Sequence, residues 1–149
     1  VQEDVSEIIL NLKEVRFKVD DSKQRTVRID ASGEGEVTAG SIISDDGKCA
    51  VLNPKHHIAT LSEKAVLKMG MTVRVGKGYS LAEGNKDEET PAGTIPIDAV
   101  FSPIKRVNYV VGNARLGQRT DYDKLTMEIW TDGSIKPEDA VAYGAKIIK

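Results

Sequence analysis

The sequence predicts an α+β fold, mainly antiparallel, with a first and a second part of unequal size, and three observations carry that prediction. Apolar residues recur at helical spacing only near the two ends of the 149-residue chain, while the stretches between them alternate with period two. Turn chemistry rich in Gly, Asp and Pro separates the alternating runs at short intervals. Strands do not alternate with helices in the way that builds a parallel sheet.

Taken in order, Val1, Val5, Ile8, Ile9 and Leu12 mark an opening helix, apolar from its first residue with no capping residue ahead of it. Val15, Phe17 and Val19 then alternate with Arg16 and Lys18, a half-buried strand; Asp20 to Lys23 is turn chemistry, and Thr26 to Ala31 alternates again, so the two runs suggest a hairpin. Short strands follow around Val37–Ala39 and Ala50–Leu52, divided by Asp45-Asp46-Gly47. Ala65, Leu67, Met69, Met71, Val73 and Val75 alternate strictly and give the clearest strand. Leu81 to Thr94 reads as a long exposed loop, Ile95 to Val100 is apolar again, and Ser102-Pro103 marks a boundary because a residue before Pro is pushed out of helical conformation. Val107-Tyr109-Val111 and Leu125-Met127-Ile129 are two further strands joined by the polar stretch Gly112 to Lys124. A last helix starts at Pro137, with Glu138 and Asp139 complementing its dipole.

With 21 basic and 23 acidic residues the formal charge is −2, which leaves no global positive field for unspecific binding to nucleic-acid phosphates. One cysteine, Cys49, precludes an intrachain disulfide and suits a reducing, cytoplasmic setting. No apolar run approaches the length of a membrane span. Both ends read as cut from a longer polypeptide.

Residue types that could carry chemistry do not assemble into a strong motif. Gly76-Lys77-Gly78 lacks the spacing, the Ser or Thr and the following helix of a phosphate loop. His56 and His57 are neighbours that would point to opposite faces of a strand and could hardly share a metal, and Cys49 reads as a small buried apolar residue. Asp121 and Asp123 beside Arg115, Arg119 and Lys124 read as charge neutralisation in a turn. The acidic run Asp87-Glu88-Glu89 sits in the long loop.

Seven stretches in order resemble the amino-terminal domain of the bacterial RNA polymerase alpha subunit. They are Val1 to Lys13, Gly35 to Ala39, His57 to Leu61, Gly76 to Tyr79, Ile97 to Pro103, Gln118 to Leu125 and Trp130 to Ile135, which together run over essentially the whole chain. The resemblance implies that residues 1–102 are the family's insert subdomain and 103–149 the incomplete, carboxy-terminal part of its dimerisation subdomain. Lys136 departs from the usual helix-capping residue of the family, and Lys77 from its commoner Arg.

The resemblance further implies a non-catalytic scaffold of DNA-directed RNA polymerase that dimerises and binds the beta and beta-prime subunits, with no cofactor, no metal and no direct DNA binding by this stretch. Lys13 and Ile97 match positions tied to large-subunit contact, with Glu7, Ser102 and Lys124 as weaker candidates; Asp87, Glu88 and Glu89 match an acidic cluster touched by transcription activators. Nucleoid-associated, cytoplasmic localisation goes with that role. Without the first dimerisation helix, the stretch is expected not to form the family's dimer. The competing reading is a stand-alone β-rich binding module or small metal-dependent hydrolase using Asp121, Asp123 and His57.

Overall fold

A computed structural model describes the chain except residues 20, 87–90 and 118, and leaves aside the side chains of 115, 116 and 119–121. The expectation for Asp87, Glu88 and Glu89, and that for the Asp121 side chain, lie outside the described residues. The chain divides into two compact units, Val1–Ser102 and Pro103–Lys149. The architecture is α+β: two helices and eleven strands among the described residues, every strand pair antiparallel.

In the first unit, helix α1 (Val5–Lys13) does have a beginning, contrary to the sequence reading. Asp4 is its N-cap: the Asp4 carboxylate accepts from Glu7 N at 2.8 Å and Glu7 returns the bond by accepting from Asp4 N at 3.1 Å. An Asp three residues ahead of a Glu is a capping box with Asp in place of Ser or Thr. Ile8 and Leu12, continued by Val15, face the core, whereas Val5 is 61% exposed.

Strand β1 (Phe17–Val19) does not form the expected hairpin with β2 (Arg25–Ser32). It pairs instead with β5 (Cys49–Val51), while β2 is the middle strand of a three-stranded sheet between β4 (Ile43–Ser44) and β7 (Val66–Val73). Burial goes with this pairing: Val27 and Ile29 are almost completely covered, and β7 matches β2 along its whole length, whereas β1 offers three residues and β4 covers only Val27 and Arg28. The strand β7 supplies eight, pairing from Arg25↔Val73 to Ser32↔Val66, and alternates between half-buried and exposed as its sequence predicts.

Two further strands, β3 (Gly35–Thr38) and β6 (His57–Leu61), pair with each other; β6 carries no period-two signal in the sequence, because its apolar residues Ile58, Ala59 and Leu61 do not alternate with the polar His57 and Thr60. Ile58, Ala59 and Leu61 all lie in the core with Ile8, Val15, Ile29, Val37 and Ala39. The expected strand across 95–100 shrinks to β9 (Ala99–Val100), paired with β8 (Tyr79–Ser80).

In the second unit, β10 (Ile104–Leu116) and β11 (Arg119–Thr131) run far beyond the two short alternating stretches. The polar stretch from Gly112 to Lys124 is therefore largely the distal half of a long ribbon, and Gly117, just beyond β10, takes φ +64°, a left-handed conformation that glycine adopts without strain. Val107, Tyr109 and Val111 face Ile129, Met127 and Leu125 across the pair, and Arg106 stacks over Trp130 at 3.9 Å. Helix α2 (Pro137–Ile148) starts at Pro137 as predicted, with Lys136 in the cap position making no side-chain cap. No described residue of this unit is buried.

Candidate functional site

The carboxyl end of α1 is held by side chains from far along the chain. A helix leaves its last carbonyls without partners, and three of those at this end are satisfied by side chains: Asn11 O takes His56 Nε2 at 2.9 Å, Glu14 O takes Asn53 Nδ2 at 3.0 Å, and Lys13 O takes Arg16 Nη1 at 3.1 Å. Asn11 reciprocates by donating to Ile58 O at 2.9 Å, and Asn53 Oδ1 accepts from Arg16 N at 2.8 Å. Asn53 and His56 line an open hollow of about 450 Å³ with Pro54 and Lys55, and the Asn53 amide and His56 Nε2 are engaged at the helix end.

From that anchored end Lys13 reaches across 85 residues of sequence to Asp98, forming an ion pair in which both side chains are about one-third exposed. The second Asp98 oxygen accepts from Tyr79 Oη at 3.0 Å. Lys13 first, and Tyr79 second, hold the Asp98 carboxyl below the ordinary carboxylate range, while the same bond to Asp98 pushes the Tyr79 phenol up. Ile97, next to Asp98, is half-buried and outside any strand; its carbonyl accepts from Asn85 Nδ2 at 2.8 Å. Asn85 Oδ1 in turn accepts from Ser80 Oγ at 2.7 Å and from Arg74. Phe101 N donates to Gly78 O at 2.8 Å, and the Phe101 ring lies over Gly76 so closely that a Cβ there would sit 2.7 Å from it.

The end of α1 and the stretch 97–101 are thus joined through Lys13 and Asp98. Large apolar residues remain exposed on the same elements: Val5 and Leu10 on α1, Tyr79 and Leu81 after β7, Ile95 and Val100 beside Ile97. Of the residues singled out from sequence, Lys13 and Ile97 are brought to this surface and Ser102 follows it half-buried, whereas Glu7 is spent on the cap of α1. Lys124 stands exposed on β11, opposite Gly112 in the second unit. Asp98, Tyr79 and Asn85 were assigned no role from sequence, since a lone carboxylate, phenol or amide carries no periodic signal of its partner.

The chemistry of a hydrolase does not assemble from these residues. His57 Nδ1 lies 2.8 Å from a Glu36 oxygen and Nε2 3.0 Å from a Glu3 oxygen, so both ring nitrogens are occupied; Asp123 belongs to the other unit, on a strand rather than in a turn. Cys49 is half-buried rather than fully so, and burial pushes its thiol up, the opposite of an activated nucleophile. Among the described residues no group of three or more His, Cys, Asp or Glu is arranged to hold a metal ion, and no helix is long and apolar enough to cross a membrane.

Comparison with known proteins gives this surface a context. Over its full length the chain is 70% identical to the DNA-directed RNA polymerase subunit alpha of Desulfosudis oleivorans, 64% to that of Desulforapulum autotrophicum and 58% to that of Geobacter metallireducens. It spans 44% of the length of each of these relatives. The sequence pattern described as the RNA polymerase Rpb3/RpoA insert domain matches residues 1–102, the same stretch as the first compact unit, and the chain therefore belongs to the RNA polymerase Rpb3/RpoA insert domain family.

Proposed function

We propose that this chain acts as part of a non-catalytic scaffold subunit of bacterial DNA-directed RNA polymerase, which dimerises and holds the beta and beta-prime subunits during transcription. Residues 1–102 serve as the insert subdomain and 103–149 as part of the dimerisation subdomain. The observation that carries the large-subunit contact is the Lys13–Asp98 ion pair. It draws the end of α1 and the stretch 97–102 into one surface, flanked by the exposed side chains of Leu10, Tyr79 and Val100. Lys13 and Ile97 contribute most to that contact and Ser102 less, Glu7 acts through the helix it caps, and Lys124 of the second unit makes a lesser large-subunit contact of its own. Asp87, Glu88 and Glu89 are the activator contact. A cytoplasmic, nucleoid-associated setting follows from the role.

The test is capture of beta and beta-prime from a co-expression by the tagged chain. Leu10→Asp should reduce capture several-fold, as should Lys13→Ala, because a charge or a lost anchor at the centre of a docking face costs more than at its rim. Far-UV circular dichroism should remain unchanged in both, since Leu10 is 61% exposed and Lys13 about one-third exposed. Undiminished capture by both variants would remove this surface from the contact.

A further inference from the structure

Gln2 and Glu3, ahead of α1, bond to the outer edge of β6. Gln2 N donates to Thr60 O at 3.0 Å, and the Glu3 carboxylate takes the Thr60 amide at 2.7 Å through one oxygen and the Thr60 hydroxyl at 2.9 Å through the other. Thr60 faces Glu36 in the β3 pairing, yet its own amide and carbonyl are turned to residues 2 and 3. Glu3 thus stands where another strand would, and the Glu3 side chain is only 17% exposed. The next residue, Asp4, caps α1, so this edge contact sets the direction in which the helix enters.

His57 closes the arrangement from the same strand. It bridges Glu3 on one side and Glu36 of β3 on the other, and these two carboxylates are the charged groups that bear on it. An imidazole with both nitrogens facing carboxylate oxygens can donate to both only as the imidazolium; when neutral, one nitrogen presents a lone pair to a carboxylate.

We propose that Glu3, His57 and Glu36 form a proton-operated latch that fastens the segment entering α1 to the edge of β6, closed when His57 is protonated and loosened when it is not. Its direction follows from the two kinds of group. The Glu36 and Glu3 carboxylates, in that order, raise the His57 pKa above its usual 6.5, so the stabilisation is complete below that value and is lost as pH rises through the higher folded one. Glu3 is held down to about 2, first by the Thr60 amide, so it stays a carboxylate through the whole range in which His57 titrates. Increasing acidity towards mildly acidic pH therefore tightens the start of α1, and alkalinity frees it. The latch is independent of what α1 contacts.

The experiment uses the full 149-residue chain, labelled with ¹⁵N. Imidazole nitrogen shifts give the His57 titration, and amide exchange at Thr60, corrected for intrinsic base catalysis, gives the state of the edge contact; Ala59, which faces Val37 in β3, is the internal reference. Protection at Thr60 should fall about two- to fivefold relative to Ala59 as His57 loses its proton, the range that a partly exposed ion pair commands. Glu36→Gln and Glu3→Gln should each lower the His57 midpoint, and His57→Gln should make Thr60 protection independent of pH. The wild-type titration needs no variant to fold. Constant relative protection of Thr60 across the His57 transition would overturn the proposal, as would a midpoint that neither glutamine substitution moves.

Discussion

Replacing Ile58 by Ala tests how the first unit is held together, because this side chain is fully covered and its carbonyl also receives Asn11 of α1. The substitution removes three carbon groups from a site with no exposure; at about 0.8 kcal/mol for each, the transfer loss is about 2.4 kcal/mol. The cavity left behind raises the cost to about 3–4 kcal/mol, since β6 is locked by β3 on one edge and by Gln2 and Glu3 on the other and cannot collapse inward. A unit of this size has a stability of the order of 5–15 kcal/mol, so a substantial share disappears. Ile58→Val, losing one carbon, should cost about 1 kcal/mol. Leu10→Ala, at an exposed position of the same helix-and-strand pair, should stay within about 0.5 kcal/mol. Urea titration followed by far-UV circular dichroism is the assay, because the single tryptophan, Trp130, lies in the second unit. An Ile58→Ala loss below about 1 kcal/mol, or no larger than that of Leu10→Ala, would refute the view that β6 is the rigid centre of the unit.

Two other outcomes follow from the geometry. Gly76→Ala should destabilise the first unit by about 1–3 kcal/mol and shift the Phe101 ring resonances, because the new Cβ would meet the ring at 2.7 Å; an unchanged melting temperature would show that the ring moves aside freely. Glu3 and Asp46 are both held down to about 2, Glu3 chiefly by the Thr60 amide and Asp46 chiefly by the Lys48 amide. Their contribution is present above the ordinary carboxylate values and is lost only as pH falls through the lowered ones. Their carboxyl ¹³C shifts should therefore begin to move only below about pH 4, and titration centred at the ordinary values would contradict the hydrogen bonds described.

Features that depend on neighbours within a few residues are legible in the chain alone. The helices at 5–13 and 137–148, the strand at 66–73 and the alternating faces of β10 and β11 are periodic signals, and local torsional and burial preferences suffice to produce them. The capping box at Asp4 and Glu7 is equally local, although the apolar spacing of Val1 and Val5 extends the helical pattern to either side of Asp4. Pairing was another matter. That β1 joins β5 instead of β2, that β6 becomes the core strand, and that Lys13 finds Asp98 depend on which surfaces remain uncovered once the chain has collapsed, a competition among residues 30 to 85 positions apart. Strand pairing and long-range ion pairs carry no period along the chain, because each partner satisfies its own local geometry whether or not the other is present. Only the tertiary structure, by making one set of burials simultaneously compatible, selects among the pairings that the local pattern leaves open.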